Sequence, residues 1–442
     1  MTTDTGDAVT ADADTVHDSQ FDVVARLLEP EVLADPGPFY AWLRDHLPVH
    51  QHPRGFYVLS RYRDTRWMFE TPLLRGPELA DYGKRYPHLA RHRSVQRLLR
   101  NVANTNPPDH TRLRRLLSRG FTSKRVQALR AMVERTCDRV LDTVEQPLRD
   151  GECVDIHSAV VMPFSLRVIA DMLGVPAADS PELMPLVVRA LHSANPAATD
   201  AMLADADVAS AQMERYFEEM VAQRRAAPRD DLVTVLTGVH DDDPDQFSDD
   251  ELITAIWGLW AAGFETSGSA IENALVTLLR HPDQAHWLHA GQPSLRAFIE
   301  EVHRYAAPNL LTGITRIATE DLRVGDVDIP AGSDVRALPG CANRDPDGFE
   351  RPEQFDPSRA DAGNLLTFGH GIHYCVGANL GRLEMEVMLR RLHGRFPDLV
   401  FAAPPVYRRS LPLRLTEHFP VALAREGRPA GADRQGADRQ AG

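Results

Sequence analysis

A lone cysteine in a glycine-rich loop constrains this chain more than any other feature of its sequence. Cys375 ends the run Phe-Gly-His-Gly-Ile-His-Tyr-Cys, which begins at Phe368, and an apolar helical pattern follows it. The glycines allow the backbone to fold tightly around the sulfur. The helix beginning near Cys375 is expected to direct free N–H groups and its positive dipole end at that sulfur. Such an environment favours the thiolate, the form that ligates metals. Judged from the helix alone, a lone cysteine would be a small buried hydrophobic side chain.

The loop matches every defined position of the pattern Phe-Gly-x-Gly-x-His-x-Cys-x-Gly and closely resembles the haem-binding loop of the cytochrome P450 monooxygenases. The resemblance extends from about Phe21 to about Glu426. It implies a mainly α, single-domain cytochrome P450 fold with small β-sheets, in which haem b lies between a long central helix and the helix after the cysteine. Cys375 is then the axial iron ligand, Phe368 and Gly369 contact the haem, and the thiolate favours O–O cleavage.

The composition excludes several other classes of protein. The 442 residues include 49 Lys and Arg against 63 Asp and Glu, a formal charge of −14, which argues against nucleic acid as the main partner. The four cysteines form neither a C-x-x-C pair nor a zinc-binding spacing. With no signal sequence and no membrane-spanning run, the sequence predicts a soluble, cytoplasmic protein. Polar segments at 1–20 and 427–442 are expected to be disordered, which leaves one haem-thiolate monooxygenase domain over 21–426.

A long helical pattern lies in the middle of the sequence. It begins at a capping box, Ser248 to Glu251, and Pro282 breaks it. The pattern predicts one central helix of about 33 residues, roughly 50 Å long. Gly263 lies near its middle, where a glycine is less favourable than alanine by about 1 kcal/mol. The glycine therefore indicates a widened turn in the helix that has a functional role, such as admitting dioxygen.

An acid and an alcohol follow that glycine. Glu265 and Thr266 resemble the two key positions of the family's oxygen-activation motif. A threonine hydroxyl in such a turn can donate a proton for dioxygen reduction, and the neighbouring acid can resupply it. The resemblance also places Ala262 and Gly263 against the haem. The alternative is an ordinary buried helix whose threonine bonds back to its own backbone.

The residues before Thr266 suggest a substrate pocket. Gly258 and Ala262 lie eight and four residues before Thr266, on one helical face. Only small side chains then stand above the iron, while Trp257, Trp260 and Phe264 point elsewhere, which indicates room for a bulky substrate. Close packing against another helix is the alternative. Further pocket residues are expected in a segment with little pattern: Asn309, Leu310 and Leu311.

Two pairs of residues at helical spacing have different predicted roles. His110 and Arg114 share a face and resemble the residues that bind the haem propionates, whose charge must be neutralised when buried. Arg316 and His373 match two further propionate contacts; each of the four, taken alone, would be an ordinary exposed charge. Glu301 and Arg304 match the family's structural Glu-x-x-Arg pair. Its usual third partner is in doubt because Gln354 stands where a basic residue is common.

Basic residues cluster near the proposed haem site in this acidic chain. No acid occurs between His110 and Arg130, and further arginines follow Cys375 on its helix. Such a face would steer an acidic ferredoxin, which receives NAD(P)H-derived electrons from a ferredoxin reductase in soluble family members. The alternative is a set of ordinary solvated arginines.

The resemblance implies a haem-thiolate monooxygenase, acting as a monomer, that uses O2 to hydroxylate or epoxidise a bulky lipophilic small molecule. Polyketides, macrolides and terpenoids of secondary metabolism, including antibiotics, are the expected substrate class. Two alternatives remain open: a haem enzyme that uses peroxide or isomerises without a redox partner, and a non-catalytic haem-binding homologue that assists another enzyme. Intact Glu265, Thr266 and Cys375 argue against both.

Overall fold

Helices dominate the structure, which confirms the mainly α class. The computed structural model describes residues 20–195, 198–243, 247–313 and 315–424. The two tails predicted to be disordered lie outside these residues, except for Gln20.

The α-helices of the described residues range from single turns to a helix of 27 residues. In chain order they are α1 (Val23–Leu27), α2 (Pro30–Ala34), α3 (Gly37–His46), α4 (Tyr62–Glu70), α5 (Leu79–Arg85), α6 (Pro87–Ala90), α7 (Arg93–Arg100), α8 (Asp109–Ser118), α9 (Ser123–Ala128), α10 (Arg130–Arg149), α11 (Met162–Leu173), α12 (Ser180–Ala190), α13 (Asp200–Ala226), α14 (Leu232–Asp242), α15 (Asp249–Ala262), α16 (Glu265–Arg280), α17 (Gln292–Tyr305), α18 (Pro339–Ala342) and α19 (Ala378–Arg395). A π-helical turn, His157–Val161, precedes α11.

The strands are short and form small sheets. They are β1 (Val49–Gln51), β2 (Tyr57–Leu59), β3 (Leu74–Arg75), β4 (Val154–Asp155), β5 (Arg316–Ala318), β6 (Leu322–Val324), β7 (Val327–Ile329), β8 (Asp334–Ala337), β9 (Leu399–Phe401), β10 (Val406–Tyr407), β11 (Thr416–His418) and β12 (Pro420–Leu423). The largest sheet has the order β1-β2-β8-β5-β3, in which β2 and β8 are parallel and the other neighbours are antiparallel. The other sheets are β4-β12-β9, β10-β11 and β6-β7.

The main hydrophobic core lies among the long helices. It joins apolar side chains of α10, α11, α13, α15, α16, α17 and α19. Helix α16 packs against α19 and α11, so the second half of the central helix lies directly beside the helix that follows Cys375. This packing brings the two segments with predicted chemistry into one region.

The central helix is interrupted, which corrects the prediction of one continuous helix. It forms two segments, α15 and α16, separated by Gly263 and Phe264. The predicted capping box is present at the start of α15. A Cβ added to Gly263 would lie 2.5 Å from Cγ1 of Ile169 and 2.8 Å from the carbonyl oxygen of Leu259. Close packing against α11 therefore requires glycine where the helix breaks.

Candidate active site

The Cys375 loop has the tight backbone that its glycines predict. Gly369 and Gly371 adopt φ of +71° and +68°, in the left-handed region that favours glycine. A Cβ on Gly371 would lie 2.5 Å from the carbonyl oxygen of Phe69. The Cys375 N–H donates to the carbonyl oxygen of Phe368 at 2.9 Å. The following helix begins at Ala378, slightly later than expected.

The pKa of the Cys375 thiol corrects the expectation that the loop holds a thiolate. Cys375 is exposed as a residue, although protein atoms surround most of its thiol group. This burial raises its pKa, although backbone N–H groups of Gly377 and Ala378 and the charges of Arg114 and Arg382 act in the opposite direction. The prediction that the loop alone favours the thiolate is therefore wrong for the free thiol. The charge of a bound metal ion deprotonates a coordinating thiol.

Four residues predicted to bind propionates lie together. The rings of His110 and His373 are 4.1 Å apart between centroids. Burial, together with the charges of Arg316, His110 and Arg114, lowers the pKa of His373 to about 2. Burial also lowers the pKa of Arg316 to about 10. Within the described residues, neither ring nitrogen of His110 has a hydrogen-bond partner. A buried arginine, a partly buried arginine and unpartnered imidazole nitrogens in one place fit a ligand with carboxylates.

Thr266 and the large aromatic residues near it differ in burial. Ala262 and Thr266 are exposed at the interruption, whereas Trp257, Trp260 and Phe264 are buried, as predicted. The Thr266 hydroxyl donates to the carbonyl oxygen of Ala262 at 2.7 Å. This is the back-bonded geometry that the sequence left open as the alternative.

The acid beside Thr266 has a partner that the sequence did not reveal. Nη1 of Arg408 lies 2.9 Å from Oε1 of Glu265. Arg408 follows β10, far from α16 in sequence, so nothing in the spacing of the motif could have indicated this contact.

Three of the predicted pocket residues do not line a common space with Ala262. A Cβ on Gly258 would collide with Nδ2 of Asn101, so this glycine packs closely against the loop after α7. Leu310 is fully buried in a cluster with Leu33 and Tyr407. Leu311 is buried in a separate cluster around α3 and β2. Both leucines fill hydrophobic cores, so their prediction as pocket residues is wrong.

Asn309 has a structural contact. Its backbone forms an isolated antiparallel bridge with Leu413, which joins the segment after α17 to the connection between β10 and β11. The bridge fixes the position of the Asn309 backbone, and the residue remains partly exposed.

A buried carboxylic acid was missed by sequence reasoning. Glu384 lies on α19 and is fully buried. Burial raises its pKa to about 8, against a smaller lowering by the nearby Ser267 hydroxyl of α16, and within the described residues neither carboxyl oxygen has a hydrogen-bond partner. Ser267 follows Thr266 in the chain, so this acid lies beside the proposed proton-delivery turn. An acid between Leu383 and Met385, in an apolar helical pattern, was the signal available in the sequence.

The Glu301–Arg304 pair is structural and has an unexpected third member. Both side chains are fully buried and joined by two hydrogen bonds of 2.7 and 2.8 Å. Arg304 also donates to the carbonyl oxygens of Asn343, Pro352 and Gln354. Nε of Arg359 lies 2.8 Å from Oε2 of Glu301. The basic partner absent at position 354 is therefore supplied by Arg359.

Many of the clustered basic residues have acidic partners. Arg112 pairs with Glu251, and Arg382 pairs with Glu300. Arg130 and Arg391 also form ion pairs. Within the described part of this cluster, the exposed basic residues for which the structure gives no ion pair are Arg119, Lys124, Arg125 and Arg390. Within the thiol loop itself, Ile372 and Tyr374 are exposed large side chains.

Comparisons with known proteins agree with this geometry. The sequence model of the cytochrome P450 family matches residues 78–397. Cytochrome P450 BJ-3 of Bradyrhizobium diazoefficiens is 40% identical over 417 residues, which cover 92% of this chain and 97% of that protein. The 6-deoxyerythronolide B hydroxylase of Saccharopolyspora erythraea is 39% identical over 327 residues, which cover 73% and 78%. The crystal structure of epothilone D-bound cytochrome P450epoK has a TM-score of 0.80 and 27% identity, and it covers 91% of this chain and 99% of that chain.

A mainly helical fold with a thiol loop beside an interrupted central helix defines the class of haem-thiolate monooxygenases. The chain belongs to the cytochrome P450 family. The cofactor of that family is a haem with a thiolate ligand, and the described residues fit it through the thiol of Cys375 and the arginines and imidazoles grouped at His110. Among the described residues, none of the helices has the length and apolar character needed to span a membrane.

Proposed function

We propose that this monooxygenase transfers one oxygen atom from O2 to a C–H or C=C bond of a bulky lipophilic small molecule. The observation that carries the proposal is the packing of the second half of the interrupted central helix, which begins with Glu265 and Thr266, against the helix that follows Cys375. Polyketides, macrolides and terpenoids of secondary metabolism, antibiotics among them, are the proposed substrates. The name of the 6-deoxyerythronolide B hydroxylase and the epothilone D bound to P450epoK support that class.

Each predicted haem contact has a proposed task. Cys375 supplies the thiolate ligand, and the backbone of Phe368 and Gly369 shapes the loop that holds it. Ala262 and Gly263 would lie against the haem, Ala262 because its side chain is small and exposed, whereas the position that a Gly263 side chain would occupy faces Ile169 of α11. The propionates are bound by two cationic arginines, Arg114 and Arg316, and by two neutral imidazoles, His110 and His373. When bound, a haem ligated by the Cys375 thiolate would supply the chemistry of dioxygen activation and O–O cleavage.

Proton supply is assigned to residues around the helix interruption. Thr266 donates a proton from its hydroxyl, which first has to turn away from the Ala262 carbonyl oxygen. Glu265 resupplies that hydroxyl from the side that faces Arg408. Glu384 holds a second proton inside the protein, near Ser267. A protonated buried carboxyl next to this turn is suited to general acid chemistry near neutral pH.

We propose that electrons come from NAD(P)H through a ferredoxin reductase and a ferredoxin. The exposed basic residues near the thiol loop, Arg119 and Lys124 among them, would attract an acidic donor. Exposed Ile372 and Tyr374 would provide apolar contact at the same surface. The protein is proposed to act as a monomer in the cytoplasm, where its four free cysteines remain reduced.

Turnover with isotopically labelled dioxygen tests this function. The holoenzyme is incubated with a ferredoxin, its reductase, NAD(P)H, ¹⁸O2 and a panel of macrolactones and terpenoids. The expected product contains one ¹⁸O atom, and Cys375→Ala yields none. Product from hydrogen peroxide alone, with none from the ferredoxin system, would indicate a peroxide-using enzyme. Haem binding without any turnover would favour the non-catalytic homologue.

A further inference from the structure

A strip of polar residues on α16 binds one segment of chain. The strip lies on one helical face and consists of Glu265, Ser269, Glu272 and Asn273. The segment is 408–416, which leads from β10 to the first residue of β11. Ser269 and Asn273 both donate to the carbonyl oxygen of Arg414, at 2.8 and 2.9 Å. The Thr416 N–H donates to Glu272 at 2.9 Å. The segment is therefore fixed to the second half of the central helix.

The two arginines that meet the strip from this segment differ in how firmly they are held. Arg414 is buried and makes hydrogen bonds with Leu33, Ala34, Tyr407 and Asn273. Arg408 has a side chain that is 39% exposed, and its Nη1 donates to Glu265. Within the described residues, its Nε has no hydrogen-bond partner. Arg414 thus anchors the segment, whereas Arg408 reaches from the anchored segment to one carboxylate.

Glu265 depends on this contact for its position. Among the described residues, Arg408 is the one side chain with which Glu265 forms an ion pair or a hydrogen bond. The Glu265 side chain is 18% exposed, so the pair lies between solvent and the Thr266 turn. His157, which pairs with Glu272 at 2.6 Å, faces Arg408 from the π-helical turn. An ion pair this accessible is weak and can open and close readily.

We propose that Arg408 is a positioning residue that holds the Glu265 carboxylate at a solvent-reachable entrance beside Thr266, and so sets where protons enter the site. The inference rests on the proposed roles of Glu265 and Thr266. Without Arg408, the glutamate side chain would sample several rotamers, and its carboxylate would lie near Thr266 for a smaller fraction of the time. Displacement of a reacting group by about 1 Å can slow a step by up to about 100-fold.

The test compares five variants with the wild-type holoenzyme. Arg408→Gln removes the ion pair, Arg408→Lys keeps a cation, and Glu265→Gln removes the acid; the fourth variant combines Arg408→Gln with Glu265→Gln. Arg409→Gln is the matched control, since Nε of Arg409 donates to the Leu28 carbonyl oxygen. One readout is hydrogen peroxide released per NAD(P)H consumed, measured with the best substrate from the turnover panel. The other, which needs no turnover, is the infrared stretching band of carbon monoxide bound to the reduced protein.

The inference expects specific differences among these variants. Arg408→Gln should raise peroxide release about threefold or more and broaden or split the carbon monoxide band, while Arg408→Lys restores most of both. In the Glu265→Gln background, Arg408→Gln should have no further effect. Wild-type behaviour of Arg408→Gln, or an equal effect in both backgrounds, would overturn the inference. If Glu265→Gln itself changes neither readout, the proposed proton role of Glu265 fails instead.

Discussion

Replacing Glu384 by glutamine should abolish part of the pH dependence of stability. Burial raises the pKa of Glu384 from 4.5 to about 8. Below pH 4.5 the acid is neutral in both the folded and the unfolded chain, so it does not penalise folding. As the pH rises towards 8, the unfolded chain ionises while the folded chain keeps the proton, and the wild type loses stability. The difference between the two pKa values corresponds to about 3–5 kcal/mol.

Glutamine resembles the neutral acid at every pH. The free energy of unfolding of Glu384→Gln should therefore equal that of the wild type near pH 4.5 and exceed it at pH 8 by about 3–5 kcal/mol. Urea unfolding of both holoproteins at several pH values between 5 and 8 measures this difference.

Glu386→Gln is the matched control, two residues further along α19. Burial alone would raise the pKa of Glu386, but hydrogen bonds from Arg130 and Gln292 lower it below 4.5. Its contribution to stability is therefore present above that pH and is lost as the pH falls, so Glu386→Gln should destabilise the protein most at neutral pH. A difference between wild type and Glu384→Gln that does not change with pH would refute the account of Glu384.

Three further predictions concern other parts of the site and the fold. Thr266→Ala should retain haem but release several-fold more hydrogen peroxide per NAD(P)H; unchanged coupling to product would contradict its role in proton delivery. Arg304→Ala should lower the free energy of unfolding by about 3–5 kcal/mol, and Arg359→Ala should lower it by about 1–3 kcal/mol. Urea unfolding measures both changes. An Arg359→Ala variant that is as stable as the wild type would refute the pairing of Arg359 with Glu301. Gly371→Ala should reduce haem bound per protein after gel filtration because its φ is +68° and its Cβ would approach Phe69, whereas Gly381→Ala, with open space around its Cβ, should not.

The sequence predicted those features that depend on neighbouring residues. The glycines before Cys375, the capping box at Ser248 and the helical spacing of His110 and Arg114 each require only local geometry. Those predictions hold because positive φ, capping and helical periodicity are set within a few residues. At Gly263 the sequence predicted a widened turn within one continuous helix, but not the separation into α15 and α16, where the glycine packs against Ile169.

The features that the sequence did not reveal arise from distant segments meeting in space. Arg359 and Arg408 reach their acidic partners across more than 50 residues, and no periodicity records such contacts. Leu310 was mistaken for a pocket residue because an apolar side chain suits a hydrophobic core and a lipophilic pocket equally well. The raised pKa of Glu384 depends on burial between two helices, which the residues around it suggest only weakly.

The central claim, that Cys375 supplies the thiolate ligand of a haem, is tested most directly by absorption spectroscopy. The spectrum of the dithionite-reduced holoprotein with carbon monoxide is compared with that of the reduced protein alone. The account predicts the strongly red-shifted Soret band of a cysteinate-ligated haem, and its loss in Cys375→Ala. An ordinary haem–carbon monoxide band in the wild-type protein would contradict thiolate ligation and, with it, the proposed site.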